Sequence, residues 1–148
     1  MSQWTAELFE DENGRSPFAA WLSGLSEAKF AALDAAITQV MCRRGIELAG
    51  TEWLKALGEG LWEFRVRHDA AEIQNMFGGA LTEPLRRESI LLRVFCHFHG
   101  SKVIQLLGGY DKGRDPSDKR QQKEVARARK CLTAWREAQK REAARRQT

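Results

Sequence analysis

From Leu61 to Asp69 apolar and polar side chains alternate. Trp62, Phe64, Val66 and His68 fall on one side of an extended chain, and Leu61, Glu63, Arg65 and Arg67 on the other. Ile90–Gly100 repeats the pattern: Ile90, Leu92, Val94, Cys96 and Phe98 against Leu91, Arg93, Phe95, His97 and His99. A period of two is that of a β-strand, whose successive side chains point to opposite faces. Antiparallel sheets commonly bury one face and solvate the other. The alternation therefore predicts a sheet with the Trp62/Phe64/Val66 face in a core and the arginine-bearing face turned to water or a ligand. Lys102–Leu107 is short and mostly apolar, as a central or final strand would be, and Gly108-Gly109 after it permits close backbone approach.

Around these strands the period changes. Trp4–Phe9 alternates weakly and is read as a first strand, closed by a turn at Asp11–Gly14. Ser16-Pro17 then opens a helix, with serine as cap and proline at the first helical position. Phe18, Trp21, Leu22 and Leu25 mark its apolar stripe. Ser26 caps a second helix with Phe30, Leu33, Ile37, Val40 and Met41 at helical spacing and a stop at Gly45. This pair is expected to cover the apolar sheet face. Ile46–Gly60 reads as a connection whose glycines allow tight entry into the next strand. Ala70–Phe77 suits a helical turn, and Gly78, Gly79 and Pro84 predict a loop after it. Asp115-Pro116-Ser117-Asp118 starts a last helix, with Val125, Ala128, Leu132 and Trp135 as its buried stripe. The fold class is α+β, in one domain over residues 1–138. Residues 139–148 form a basic tail with little apolar anchor, expected to fray.

Size and composition agree with one compact domain: 148 residues, 43% hydrophobic. There is no apolar run long enough to cross a bilayer, and the N-terminus lacks a basic start and apolar stretch, so no membrane association is expected. Cys42, Cys96 and Cys131 are widely spaced and odd in number. They fit neither a disulfide framework nor a zinc ribbon, and the cytoplasm is the expected compartment. The net charge of +4 is unevenly spread. Residues 1–60 carry five Lys/Arg against nine Asp/Glu, and residues 117–148 carry eleven against four. Basic C-terminal segments of this kind approach nucleic acid or ribosomes, or simply form a solvated helix.

The candidate chemistry lies on the polar strand face. Arg65, Arg67, Arg93, His97 and His99 share it, with Lys112 and Arg114 beyond its end. Like charges on neighbouring strands repel, and the repulsion is relieved by an anion. With no nucleotide motif in view, a phosphodiester is the expected ligand. Arg65 and Arg93 suit phosphate, because a planar guanidinium grips its oxygens bidentately. Lys112 suits phosphate contact or proton donation, and Arg67 and Arg114 substrate binding. His97 is the candidate proton-transfer residue, because histidine as a residue type suits general acid–base work. Tyr110, the only tyrosine, suits base stacking, phosphate orientation or strand-end packing. His97 and His99 share a face but Cys96 points the other way, so neither a metal site nor a cofactor is read.

Taken in order, Leu61-Trp-Glu-Phe-Arg65, Leu92-Arg-Val-Phe95, Val103-Ile-Gln-Leu-Leu-Gly-Gly-Tyr-Asp-Lys112 and a helix starting near Pro116 resemble the RelE/HigB toxins of bacterial toxin–antitoxin systems, in the phage-derived HigB-like branch. The resemblance runs from the helical pair through Trp135. It implies N-terminal helices packed on a small antiparallel sheet, with a basic C-terminal helix. It further implies metal-independent cleavage of messenger RNA, usually on the ribosome, with a cognate helix-turn-helix antitoxin as inhibitor. By position Arg65, Arg93 and Lys112 match basic residues of the family. Gly113 departs from it, standing where relatives often carry a second lysine, and Ala70–Ser89 is longer than in many relatives. The departure at Gly113 favours an alternative: a noncatalytic module that keeps the toxin fold and binds RNA, ribosome or an antitoxin-like partner.

Overall fold

In the computed structural model, residues 3–77 and 89–147 are described. The loop expected around Gly78, Gly79 and Pro84 lies outside them. Five strands form one sheet: β1 (Thr5–Leu8), β2 (Leu54–Gly58), β3 (Leu61–Val66), β4 (Leu92–His99) and β5 (Val103–Asp111), in the order β1-β5-β4-β3-β2. Helices α1 (Pro17–Ser23) and α2 (Glu27–Ala36) follow β1. A π-helical turn, Ile37–Met41, joins α2 to the short α3 (Cys42–Arg44). The short α4 (Ala70–Met76) follows β3, and α5 (Asp118–Arg146) closes the chain.

The caps stand where their chemistry places them. Ser16 Oγ accepts from the Ala19 N–H and Ser26 Oγ from the Lys29 N–H, each satisfying a donor that a helix start leaves open. The α-helical run stops at Gly45, whose φ of 49° favours glycine and whose bare Cα lets the Trp4 ring pack against it, and a 3-10 turn follows over Gly45–Leu48. Asp69 and Glu72 form a reciprocal capping box on α4.

The sheet is mixed. β2–β3, β3–β4 and β4–β5 pair antiparallel, but β1 lies parallel to β5, which corrects the all-antiparallel expectation. Alternation within a strand specifies its buried face and not the direction of its partner. β2 was hidden in the Ile46–Gly60 connection because it is an edge strand and only Leu54 in it is fully buried. It forms a hairpin with β3 through Glu59-Gly60, both at positive φ, the signature of a two-residue type I′ turn.

Both faces of the sheet are covered, so the arginine-bearing face does not open broadly onto water. On one face Phe64, Val66, Leu92, Val94, Cys96, Ile104 and Leu106 meet Phe18, Leu33 and Val40 in the main core. Burying a residue such as Phe64 or Leu33 stabilises by about 1.5–3 kcal/mol. Phe30, expected on the buried stripe of α2, is 46% exposed, whereas Leu33 of that stripe is buried together with Ala32, Ala35 and Ala36. Alanines carry a weak hydropathy signal but let a helix approach a sheet closely. On the other face α5 lays Ala128 and Leu132 over Leu61, Phe95, Leu107 and Tyr110. The helix runs to Arg146, past the boundary drawn at residue 138, and its last two turns carry Glu142 pairs to Arg145 and Arg146.

Candidate functional site

Arg65 on β3, Arg93 on β4 and Tyr110 on β5 are direct cross-strand neighbours: Arg65 pairs with Arg93, and Arg93 with Tyr110. The row depends on an irregularity. Phe95 stands opposite Gly108 and Cys96 opposite Leu106, leaving Leu107 as one extra residue in β5. Such a β-bulge resets the alternation. Leu106 therefore enters the main core, whereas Leu107 and Tyr110 lie with Phe95 under α5.

The row is built around a carboxylate. Glu63, two residues before Arg65 on the same face, is fully buried. Its Oε1 accepts from Arg65 Nε at 2.9 Å and lies 3.6 Å from Arg93 Nε, and its Oε2 accepts from Gln121 Nε2 of α5 at 3.3 Å. Had this face been open to water, the Glu63–Arg65 pair would contribute little. The apolar partners Leu61 and Phe95 on the same face were the signal that this side would be covered.

Arg93 is only 3% exposed, so it is an interior residue and not a surface one. Burial draws its pKa below the ordinary arginine value. Glu63 opposes that shift, while Arg65 and Arg67 add to it. The Tyr110 phenol is held above its ordinary pKa, first by burial and then by the Glu63 carboxylate, so it stays protonated at neutral pH. Its ring stacks on Phe95 at 6.0 Å, and the Arg120 guanidinium lies 5.6 Å from its centroid. Tyr110 Oη is buried and finds no hydrogen-bond partner among the described residues. Arg120 is held in turn by Glu124 at 3.1 Å, which also pairs with Arg127 at 3.2 Å. Gln121, Arg120 and Glu124 escaped sequence reasoning because they project from a helix whose docking no local pattern specifies.

Toward solvent lie further cations, with Asp111 and Asp115 beside them. Arg65 is partly exposed, Arg67 and Arg114 are exposed, and Lys112 is half-buried just past the end of β5. The turn there is tight. The Gly113 N–H donates to Asp111 Oδ1 and to the Leu91 carbonyl, and a Cβ at Gly113 would come within 3.2 Å of Asp111 Oδ1. Asp111 also holds Lys29 of α2 at 2.6 Å.

His97 is not brought to this row. It lies four residues along β4 from Arg93, roughly 13 Å at strand spacing. Its Nδ1 bonds the Gly60 carbonyl at 2.7 Å, and its ring packs 5.2 Å from Trp135. His99 lies beside it, 4.5 Å from Trp135. Part of the basic charge of α5 is likewise structural. Arg129 donates to the carbonyls of Leu57 and Gly58, and Arg136 to that of Glu59, clamping the β2–β3 turn.

The arrangement can hold an anion at the Arg65/Arg67/Lys112/Arg114 rim, with Glu63 fixing Arg65 from behind. No protein-family model matches the chain, and no curated protein is significantly similar to it.

Proposed function

We propose that this chain is the toxin of a type II toxin–antitoxin pair, with a RelE-like fold, and that it cleaves messenger RNA on the ribosome without a metal. The observation that carries the proposal is the in-register row Arg65–Arg93–Tyr110 ending in the solvent-facing cations Arg67, Lys112 and Arg114. In the reaction the RNA 2′-hydroxyl gives up its proton to solvent water and attacks the adjacent phosphorus. The P–O5′ bond breaks, leaving a 2′,3′-cyclic phosphate and a 5′-hydroxyl. Arg65 and Lys112 neutralise charge on the phosphate oxygens, and Lys112 donates the proton to the departing oxygen. Arg93, behind the rim, raises the local positive potential without reaching solvent. His97 takes no part, being held against Trp135. A cognate helix-turn-helix antitoxin would cover the same cationic rim.

Burial of Arg93 and Tyr110 under α5, with both arginines turned toward Glu63, favours a second reading: a noncatalytic module that binds RNA, ribosome or antitoxin. Purified protein incubated with ribosomes and a defined messenger separates the two. Cleavage is expected for the wild type. Lys112→Ala should lower the rate on the order of 10²-fold, with thermal stability changed by no more than about 0.5 kcal/mol. Ribosome or RNA binding without cleavage would select the module.

A further inference from the structure

A second feature lies beside the row. A cavity of about 510 Å³ opens between α1 and α5 over the Leu107–Gly109 stretch of β5. That volume falls within the roughly 300–1,000 Å³ of small-molecule sites. Trp21 forms one wall and packs so closely on Gly109 that a Cβ there would come within 2.4 Å of the ring. Phe95 and Ala128 line it from the sheet and α5. Three cations stand around it, Arg120, Arg127 and Lys130, against one carboxylate, Glu124, which Arg120 and Arg127 already engage. Two of its lining residues touch the candidate site: Arg120 lies over the Tyr110 ring, and Phe95 stacks on that ring from within the sheet.

We infer that this cavity takes one unstacked nucleotide, its base against Trp21 and the bare backbone of Gly108, its phosphate on Arg127 and Lys130. The inference rests on the RNA-directed function proposed above and names where that RNA is gripped beyond the cleavage point. An aromatic wall accepts the face of a base. A guanidinium and an ammonium at the mouth suit a phosphate, whereas an uncharged apolar ligand would make no use of them. Gly108 matters because it leaves the floor bare, and Gly109 because without a Cβ it lets Trp21 pack against it.

Gly108 supplies a clean test. A Cβ built on it meets nothing within 4 Å, and its φ lies outside the left-handed region. Gly108→Leu therefore puts a side chain into the cavity from an unstrained Cβ. Binding of the four nucleoside 3′-monophosphates to the full chain, measured by calorimetry beside the matching nucleosides, inorganic phosphate and benzoate, reads the pocket directly. At least one nucleotide should bind about tenfold or more tightly than its nucleoside and than phosphate. Gly108→Leu should abolish that binding with an unchanged melting temperature. Arg127→Ala with Lys130→Ala should weaken the nucleotide about tenfold and leave the nucleoside unaffected. Equal binding of phosphate and nucleotide, tighter binding of benzoate, or normal nucleotide binding by Gly108→Leu would each overturn the assignment. Cleavage assayed in parallel keeps the two proposals apart. A wild type that cuts RNA but binds no nucleotide loses the pocket alone, and one that binds nucleotide but cuts nothing loses the cleavage reaction alone.

Discussion

Glu63 has no contact with water, yet it is a carboxylate whose partners are Arg65, Arg93 and Gln121. Removing one member of a buried charge group leaves the others uncompensated, which typically costs about 3–5 kcal/mol. Glu63→Ala should lower stability by that order in urea titrations, and a loss below about 1 kcal/mol would show that water reaches the cluster. Tyr110 makes the opposite case. Its Oη is buried without a partner, and an unsatisfied buried hydroxyl is itself a cost. Tyr110→Phe should leave the melting temperature unchanged or raise it. A clear drop would reveal a bridging group between Oη and its polar neighbours. Activity lost on Arg93→Ala would be ambiguous, since that residue is interior. The half-buried Lys112 is the better probe of chemistry.

Among the elements, α5 decides what kind of site exists. Its first turn is anchored by Ser117 Oγ, which accepts from the Arg120 N–H at 3.2 Å and donates to Asp115 Oδ1 at 2.7 Å. The same turn carries Arg120 and Gln121 into the cluster. Ser117→Ala should cost about 1 kcal/mol of stability. Because the cap orders that turn, it should also weaken nucleotide binding at the α1–α5 cavity more than a remote cap loss of equal cost, such as Ser26→Ala. Equal effects from the two variants in calorimetry would mean that the turn is ordered without its cap. Further along the helix, Arg129 and Arg136 hold backbone carbonyls of the β2–β3 turn. A helix that looks like a nucleic-acid tail is thus partly a strut.

Across the whole molecule two histidines set opposing pH dependences. His68 lies between Glu52 at 3.1 Å and Glu72 at 3.3 Å. Burial alone would lower its pKa, but the two carboxylates outweigh burial and raise it above 6.5. Its contribution to stability is therefore complete below pH 6.5 and is lost as pH rises through the folded value. His99 is shifted down, first by burial and then by neighbouring His97, with Glu7 opposing. Its contribution is present above pH 6.5 and is lost as pH falls toward the folded value. Denaturant melts across pH 5–9 should show His68→Gln destabilising the protein most at the acid end. His99→Gln should reduce the loss of stability below pH 6.5. Parallel pH profiles for wild type and both variants would remove these histidines from the balance. No helix among the described residues is long and apolar enough to cross a membrane.

Local chemistry was legible wherever a few adjacent residues decide the outcome. Serine caps, the Gly45 stop, the core face of β3 and the shared face of Arg65 and Arg93 all follow from side-chain size, backbone freedom and a period of two. Tertiary packing decided the rest. One extra residue at Leu107 turned Tyr110 toward Arg93, because a bulge shifts every later side chain to the opposite face. The docking of α5 over Leu61 and Phe95 covers this face and leaves Glu63 and Arg93 buried beside the partly exposed Arg65. It also carried His97 against Trp135. The parallel seating of β1 on β5 depends on contacts about a hundred residues apart in sequence. Such contacts leave no periodic trace, since each partner's local pattern is compatible with either direction and with several neighbours.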